Sequence, residues 1–365
     1  ANVFSLFWAS VAHGRDKIRV LFWLQIACVV CAAVIGFAPV TAAGLLLIVT
    51  GVVGARIAWS GVVTTRSAVW RANYPRALRA RVTGSIAVLV AIAMGGAGLV
   101  LAFAMEQNDE AFRWFYPLAA LCGLLGALVY RRVRVRAHRS LLDAERAESG
   151  AGRLLSRGIA ILREDALFRQ YMTIMFVFGS GNLMVLAPLI IVFTDELKLP
   201  QFEQMLIVSS VPLLVIPITT RLWARLLDRL HVIPYRAIHS WTFVVAIALL
   251  TAGAVTGLVA LLWLGALAMG TAYAGGILGW NLGHNDFAPR ELVAHYMGVH
   301  VTLTGVRGLV MPLVGVMFYE FVESRSPGNG AYALLLPLLL TTLGAFGFLA
   351  MARSGRHVGA SRDPI

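Results

Sequence analysis

The sequence predicts an all-α polytopic membrane protein made of two six-helix bundles. Of its 365 residues, 59% are hydrophobic and 13% charged, with a mean hydropathy of +0.78. A soluble domain does not bury that much apolar surface. Apolar stretches of about 20 residues, long enough to cross a ~30 Å hydrocarbon core as helices, recur along the whole chain. The strand-length alternation of a membrane barrel is absent from the sequence.

The apolar stretches mark the individual spans. We predict full-length spans at residues 20–38, 42–65, 83–105, 112–130, 170–193, 204–224, 235–255, 258–281, 296–318 and 331–351. A shorter apolar stretch at 1–13 makes eleven helices visible. Because that stretch would start inside the bilayer, we expect a preceding first helix, giving twelve spans with both termini cytoplasmic.

The basic residues indicate how the chain is oriented. Of 31 Lys and Arg residues, 26 lie in alternate connectors, at 14–19, 66–81, 131–169, 221–236, 284–295 and the tail after 352. Positive charge marks the cytoplasmic side of a membrane protein. The net charge of +13 therefore indicates topology and contact with anionic lipid, and not nucleic-acid binding. We predict a multi-pass protein of a bacterial inner membrane with a cytoplasmic C-terminus.

The longest connector divides the chain. We predict an N-terminal bundle over 1–130 (helices 2–6), a cytoplasmic linker over 131–169, a C-terminal bundle over 170–352 (helices 7–12) and a tail over 353–365. Apolar residues at helical spacing in the linker favour an amphipathic helix on the membrane surface; they are Leu154, Leu155, Ile159 and Leu162. A solvated, charged linker is the alternative.

A weak internal repeat supports two equivalent halves. "RALRARVTG" (Arg76–Gly84) and "RELVAHYMG" (Arg290–Gly298) match at four of nine positions, 214 residues apart. Pro75 and Pro289 precede them. Both segments join spans at equivalent places in the two halves, as parallel repeats of a transporter would.

Loop motifs strengthen this reading. "WARLLDRLHVIPYR" contains Asp228, Arg229 and Arg236, and "VAHGRDKIR" has His13 where the first carboxylate of the same pattern is expected. The pattern, G-x-x-x-D-R-x-G-R-R, resembles that of the major facilitator superfamily (MFS). The resemblance implies the MFS fold and a gating role for Asp228 and Arg229, because in that family the loop pairs charges between helices and keeps one conformation closed.

Two arginines within predicted spans are candidate substrate-binding residues. Arg307 lies 11 residues into the span that starts at 296, about 16 Å deep. Arg56, in "RIAWSG", resembles the family's R-x-x-Q-G pattern, whose Arg is tied to proton-coupled antiport. Charges inside a membrane are expensive, so we expect both to face the bundle interior and bind an anionic group or a titrating partner. The alternative is a hydrogen bond to backbone carbonyls that joins helices.

Two further residues are candidates for the substrate cavity. Asn182 follows "FGSG", whose two glycines let the span over 170–193 bend or let another helix approach. Tyr273 has a similar depth in the span over 258–281. Helix packing is the alternative for both.

A polar cluster at the cytoplasmic end of the 258–281 span is a candidate gate. It contains His284, Asp286 and Arg290, with His295 and His300 following. Histidine titrates near neutral pH, so a proton relay is one alternative. A metal site is disfavoured, because the five-residue spacing of His295 and His300 places them on different helix faces.

These features predict a secondary active transporter of a small molecule, anionic or zwitterionic, working by alternating access. No phosphate-binding loop or hydrolase motif is present in the sequence, so we predict no enzyme activity, cofactor or metal. Protons are candidate coupling ions, although no Asp or Glu lies in the middle of a span. The alternatives are a non-transporting scaffold or assembly factor with a partner in a membrane complex, and a passive uniporter.

Overall fold

A computed structural model describes residues 4–39, 41–108, 110–147 and 154–355. Within these residues, ten helices are long and apolar enough to cross a membrane, as the sequence predicts. The short N-terminal stretch forms α1 (Ser5–Ala12). The other helices are α2 (Lys17–Ile35), α3 (Ala42–Asn73), α4 (Arg76–Gln107), α5 (Phe112–Tyr130), α6 (His138–Ala147), α7 (Leu154–Glu164), α8 (Ala166–Met184), α9 (Leu186–Ile191), α10 (Gln201–Met205), α11 (Val211–Arg229), α12 (Val232–Thr256), α13 (Val259–Leu282), α14 (Val293–Arg325) and α15 (Leu335–Arg353).

The span predicted over 170–193 is interrupted after Met184, and not at the glycines of "FGSG", where the sequence allowed a bend. Helix α8 continues through "FGSGN" to Met184, and α9 starts at Leu186, just before Pro188. Proline lacks an amide hydrogen, which explains the break. The glycines of "FGSGN" instead allow close helix contacts, the second role considered for them.

The chain forms two compact units, each containing one segment from the other sequence half. Unit 1 contains residues 1–75, 92–164 and 288–302, and unit 2 contains 76–91, 165–287 and 303–365. The exchanged segments, 76–91 and 288–302, include the two repeat segments found in the sequence. Contiguous halves therefore describe the units only approximately.

The two loops with the family pattern adopt the same register. Trp8 and Ala9 precede the first loop, and Trp223 and Ala224 precede the second. Helix α2 then begins at Lys17 after the N-cap Asp16, and α12 begins at Val232 after the N-cap His231. The repeat is therefore structural as well as sequential, and His13 corresponds to Asp228.

Small residues bring helices together in unit 2. A Cβ built on Gly253 of α12 would lie 2.7 Å from the Leu262 side chain, and one on Gly265 of α13 would lie 2.7 Å from Leu250. Close approach through glycine is the usual way helices pack in a membrane, because lipid tails offer no hydrophobic driving force between them. Large apolar side chains remain exposed on the helix surfaces, for example Trp114.

Candidate functional site

Arg307 lies near the middle of the 33-residue helix α14 and is buried, with 2% of its surface exposed. Its guanidinium donates through Nη1 to the carbonyl of Met175 on α8. Nη2 donates to the Thr304 hydroxyl at 2.8 Å, and the group lies over the Phe176 ring, 5.7 Å from its centroid. The buried Nε has no partner in the described part of the chain. Arg307 is therefore buried, as predicted. It also forms the hydrogen bond to a backbone carbonyl that was the structural alternative to substrate binding.

Glycine at position 179 makes room for this guanidinium. A Cβ built on Gly179 would collide with Nη1 and lie 2.6 Å from the guanidinium carbon of Arg307. Two residues further along α8, a Cβ on Gly181 would lie 2.5 Å from the Pro337 carbonyl. Gly179 and Gly181 are two residues apart and point to different sides of α8, so the "GSG" segment lets one side approach Arg307 and another approach the first part of α15.

A second buried arginine lies in the same unit. Arg236, on the second turn of α12, is 1% exposed, and its Nε and Nη2 have no hydrogen-bond partner among the described residues. Nη1 lies 3.4 Å from His239 Nδ1. A Cβ on Gly279 would lie 2.8 Å from the guanidinium carbon of Arg236, so a glycine makes room for this arginine too.

The Tyr171 hydroxyl lies near both arginines. Arg236 is within hydrogen-bonding reach of this hydroxyl, and the charges of Arg236 and Arg307 both act on it. The two guanidinium charges also act on each other. Among the described residues neither arginine forms an ion pair. A guanidinium has five N–H donors in a planar fork that suits carboxylate and phosphate oxygens. Two such groups with unused donors favour an anionic ligand, which would offset their mutual repulsion.

Asn182 and Tyr273 occupy different environments. Asn182 lies one turn beyond Phe178 on α8, half-buried, and its Oδ1 is buried without a partner in the described chain. Tyr273, on α13, is 37% exposed and packs its ring against Phe243 at 5.9 Å. Asn182 thus has a free acceptor, whereas Tyr273 has an aromatic packing role. Substrate binding by either residue stays a prediction.

Arg56 has surroundings unlike those of Arg307. It lies on α3 and is exposed. Exposure alone does not tell a residue that lines an open cavity from one on an outer face. A substrate-binding role for Arg56 stays a prediction.

The predicted gating residues Asp228 and Arg229 have unequal surroundings. Asp228 is nearly buried and accepts a hydrogen bond from the amide of Ala80 on α4 at 2.8 Å. Its second oxygen lies 3.9 Å from Nε of Arg81, a largely exposed side chain. Arg229 is exposed. The carboxylate therefore joins α11 to the start of α4, within unit 2.

The other predicted gating residues are divided between the units. Asp286 accepts a hydrogen bond from the first amide of α12, that of Val232, at 2.7 Å, and lies 4.0 Å from His231. A carboxylate at a helix N-terminus satisfies a free amide and interacts favourably with the helix dipole. His284 is buried in the same unit, whereas Arg290 is exposed and belongs to unit 1. A network of all three residues stays a prediction.

A buried polar cluster in unit 1 was missed by sequence reasoning. Lys17 lies 2.5 Å from Glu145 of α6, and both side chains are almost fully buried. The His13 ring packs edge-on against the buried His295 ring, with 5.0 Å between centroids. The loop pattern pointed to His13. No spacing rule connects Lys17 to Glu145, because the two residues are 128 positions apart in the sequence.

Comparison with known proteins agrees with this architecture. The family model of the Major Facilitator Superfamily matches residues 1–312. The chain belongs to the major facilitator superfamily. A search of curated proteins by sequence finds no match.

Solved MFS structures share the fold across almost the whole chain. The E. coli fucose:proton symporter has a TM-score of 0.68 at 13% identity, covering 96% of this chain and 90% of the symporter. A bacterial homologue of the iron transporter ferroportin gives 0.64 at 15% identity, with 96% and 87% covered. The human organic anion transporter MFSD10 gives 0.62 at 16%, with 93% and 81% covered. At these identities the likeness shows the fold alone.

Proposed function

We propose that this MFS protein is a secondary active transporter that moves a small anionic or zwitterionic molecule by alternating access. Arg307 binds the anionic group of the substrate, and Arg236 and Tyr171 complete the polar surroundings. Asn182, three residues after Gly179 on α8, offers a buried acceptor with no partner among the described residues, and Tyr273 and Arg56 line the transport path. Protons are the proposed coupling ions. Membership of a transporter family supports transport over catalysis.

The observation that carries this proposal is the buried pair of arginines with unused donors. A charge in the middle of a membrane costs at least ~3 kcal/mol on insertion scales. Arg307 recovers part of this cost through Met175 and Thr304. Its Nε and two nitrogens of Arg236 have no well-formed hydrogen bond to the described residues, although the Tyr171 hydroxyl is within reach of Arg236. An anion with two or three oxygens would satisfy these donors and neutralise charge.

The proposed setting is a bacterial inner membrane with the basic connectors on the cytoplasmic side. Residues His284, Asp286, Arg290, Asp228 and Arg229 gate that side. In this orientation a cysteine placed at Ser326 reacts with an impermeant maleimide added from outside, and one placed at Asp143 does not. The opposite labelling pattern would reverse the orientation.

Stabilisation by candidate substrates tests the proposal. Purified protein is heated with a panel of carboxylates, phosphates, zwitterions and neutral sugars, and hits are assayed for flux in proteoliposomes with and without a pH gradient. We expect an anionic or zwitterionic compound to raise the melting temperature by several degrees, as ligand binding to the native state does. The same compound should not stabilise Arg307→Ala. Flux of a neutral sugar that Arg307→Ala leaves unchanged would contradict the proposed anion site.

The pH gradient separates the coupling alternatives. Flux that a gradient accelerates supports proton coupling, and flux that ignores it supports a passive uniporter. Folded protein that transports no compound in the panel and co-purifies with a membrane complex would favour the scaffold alternative.

A further inference from the structure

The two family-pattern loops differ in the source of their carboxylate. In unit 2 the loop itself supplies Asp228, which accepts the Ala80 amide and faces Arg81. In unit 1 the corresponding position is His13, and the residue that corresponds to Arg81 by the 214-residue repeat is His295. A pair of opposite charges in one unit is thus replaced by two packed histidine rings in the other.

A carboxylate nevertheless binds the unit 1 loop, and it comes from the linker. Glu145 of α6 accepts the amide of Gly14 at 2.7 Å and the ammonium of Lys17 at 2.5 Å through the same oxygen, Oε2. The backbone carbonyl of Glu145 accepts a hydrogen bond from Nε2 of His13 at 2.7 Å. Arg146 donates from Nε to the Gly14 carbonyl at 3.3 Å. We call these four hydrogen bonds the loop–linker contact.

Burial makes this contact stronger than an ordinary surface ion pair. The side chains of Lys17 and Glu145 are 1% and 3% exposed. Lys17 also donates to the Ala12 carbonyl at 2.6 Å, so its ammonium is held between the end of α1 and the linker. Breaking a buried pair on one side leaves an uncompensated charge, whereas exposed pairs contribute little.

The second linker helix packs on the same unit. A Cβ on Gly158 of α7 would lie 3.0 Å from the side chain of Leu6 on α1, and Ile161 is 2% exposed. Ile159, one of the apolar residues of the predicted amphipathic helix, is 46% exposed. Both described linker helices are therefore part of the unit 1 structure.

We propose that Glu145 is a positioning residue for the transport cycle. The linker helix α6 provides the carboxylate that the unit 1 loop lacks. This contact stabilises the conformation in which the loop is bound to α6, the same role that the family pattern predicts for Asp228 in unit 2. Release of α6 then changes the balance between conformations. The proposal rests on the proposed alternating-access function, but its test requires no substrate.

Double electron–electron resonance measures that balance directly. Spin labels are placed at two exposed cytoplasmic-side positions, Arg132→Cys and Arg225→Cys, after replacing Cys28, Cys31 and Cys122 with serine. The variants are Glu145→Gln, Lys17→Met and the exchange Lys17→Glu with Glu145→Lys. Asp143→Asn is the matched control, because Asp143 is an exposed acid on the same helix.

We expect Glu145→Gln and Lys17→Met each to change the ratio of the distance populations by about tenfold, and the exchange to restore it in part. Asp143→Asn should leave the ratio unchanged. Because the loss of a structural contact alone would lower the melting temperature without moving the populations, both are measured. If Glu145→Gln does not fold, Glu145→Asp replaces it in the experiment. Glu145→Asp keeps the charge but shortens the side chain, so it should move the ratio of the distance populations in the same direction.

An unchanged distance distribution in folded Glu145→Gln, or in Glu145→Asp where Glu145→Gln does not fold, would overturn the proposal. Such a result would leave the transport proposal intact, because that is tested by substrate stabilisation and flux. Conversely, failure to find a transported anion would not affect the distance measurement.

Discussion

At the scale of single residues, Arg307 and Gly179 form one structural feature. The guanidinium occupies the space where a side chain at position 179 would begin, and it donates to the carbonyl of Met175, four residues earlier on the same helix. The sequence showed both residues, one as a charge within a span and the other within an unusual "GSG" segment. Their contact could not be predicted, because it joins two helices that are distant in the sequence. Arg307 and its hydrogen-bond acceptor Met175 are 132 residues apart.

Substitution of this glycine gives a specific prediction. Gly179→Ala should lower stability by about 1–3 kcal/mol, the usual cost of adding atoms to a filled interior, because Arg307 must leave its position. It should also abolish stabilisation by the anionic ligand. Thermal unfolding with and without that ligand provides the measurement.

Gly308 offers a matched control for this experiment. It is also a helical glycine, next to Arg307 in sequence, but a Cβ there meets nothing within 4 Å. Gly308→Ala should therefore keep both stability and ligand response. Equal behaviour of the two variants would show that the Gly179 contact does not position Arg307.

At the scale of helices, the spans were predictable and their polar connections were not. Runs of about 20 apolar residues define a membrane helix by length alone, which explains why the ten long helices coincide with predicted spans. The positions of polar side chains depend on packing between distant helices. Arg56 was expected inside a bundle but is exposed, and Asp286 lies at the first amide of α12, a contact that no local pattern reports.

The contact between Asp228 and the start of α4 gives a prediction at this scale. Asp228→Ala removes the acceptor of the Ala80 amide at the start of α4, and we expect it to shift the same spin-label distance populations as Glu145→Gln. The double variant should shift them further than either single one, since the two carboxylates lie in different units. Asp143→Ala, at the exposed acid of α6, serves as the control. Normal populations in folded Asp228→Ala would remove Asp228 from the proposed gate.

At the scale of the whole molecule, the two-fold repetition explains most of what the sequence could predict. Basic connectors, the repeat segments and the loop motifs all predicted two related halves, and the MFS fold was predicted from them. The structure adds that segments 76–91 and 288–302 join the other half's unit. Hydropathy does not carry this information, because it describes each helix without its neighbours. Linker helix α6, too polar to read as a span, was likewise missed.

The central claim is that Arg307 binds the transported anion, and flux normalised to folded protein tests it most directly. Proteoliposomes containing wild type, Arg307→Ala and Arg307→Lys are compared with the compound that stabilises the wild type. We predict that Arg307→Ala folds and inserts but loses transport by about ten- to a hundredfold, since a charge-assisted hydrogen bond contributes ~1.5–3 kcal/mol and every ~1.4 kcal/mol is a factor of ten. Arg307→Lys should recover little, because lysine lacks the planar fork. Normal flux per folded molecule in Arg307→Ala, with a lowered melting temperature, would contradict the claim and assign Arg307 to helix packing.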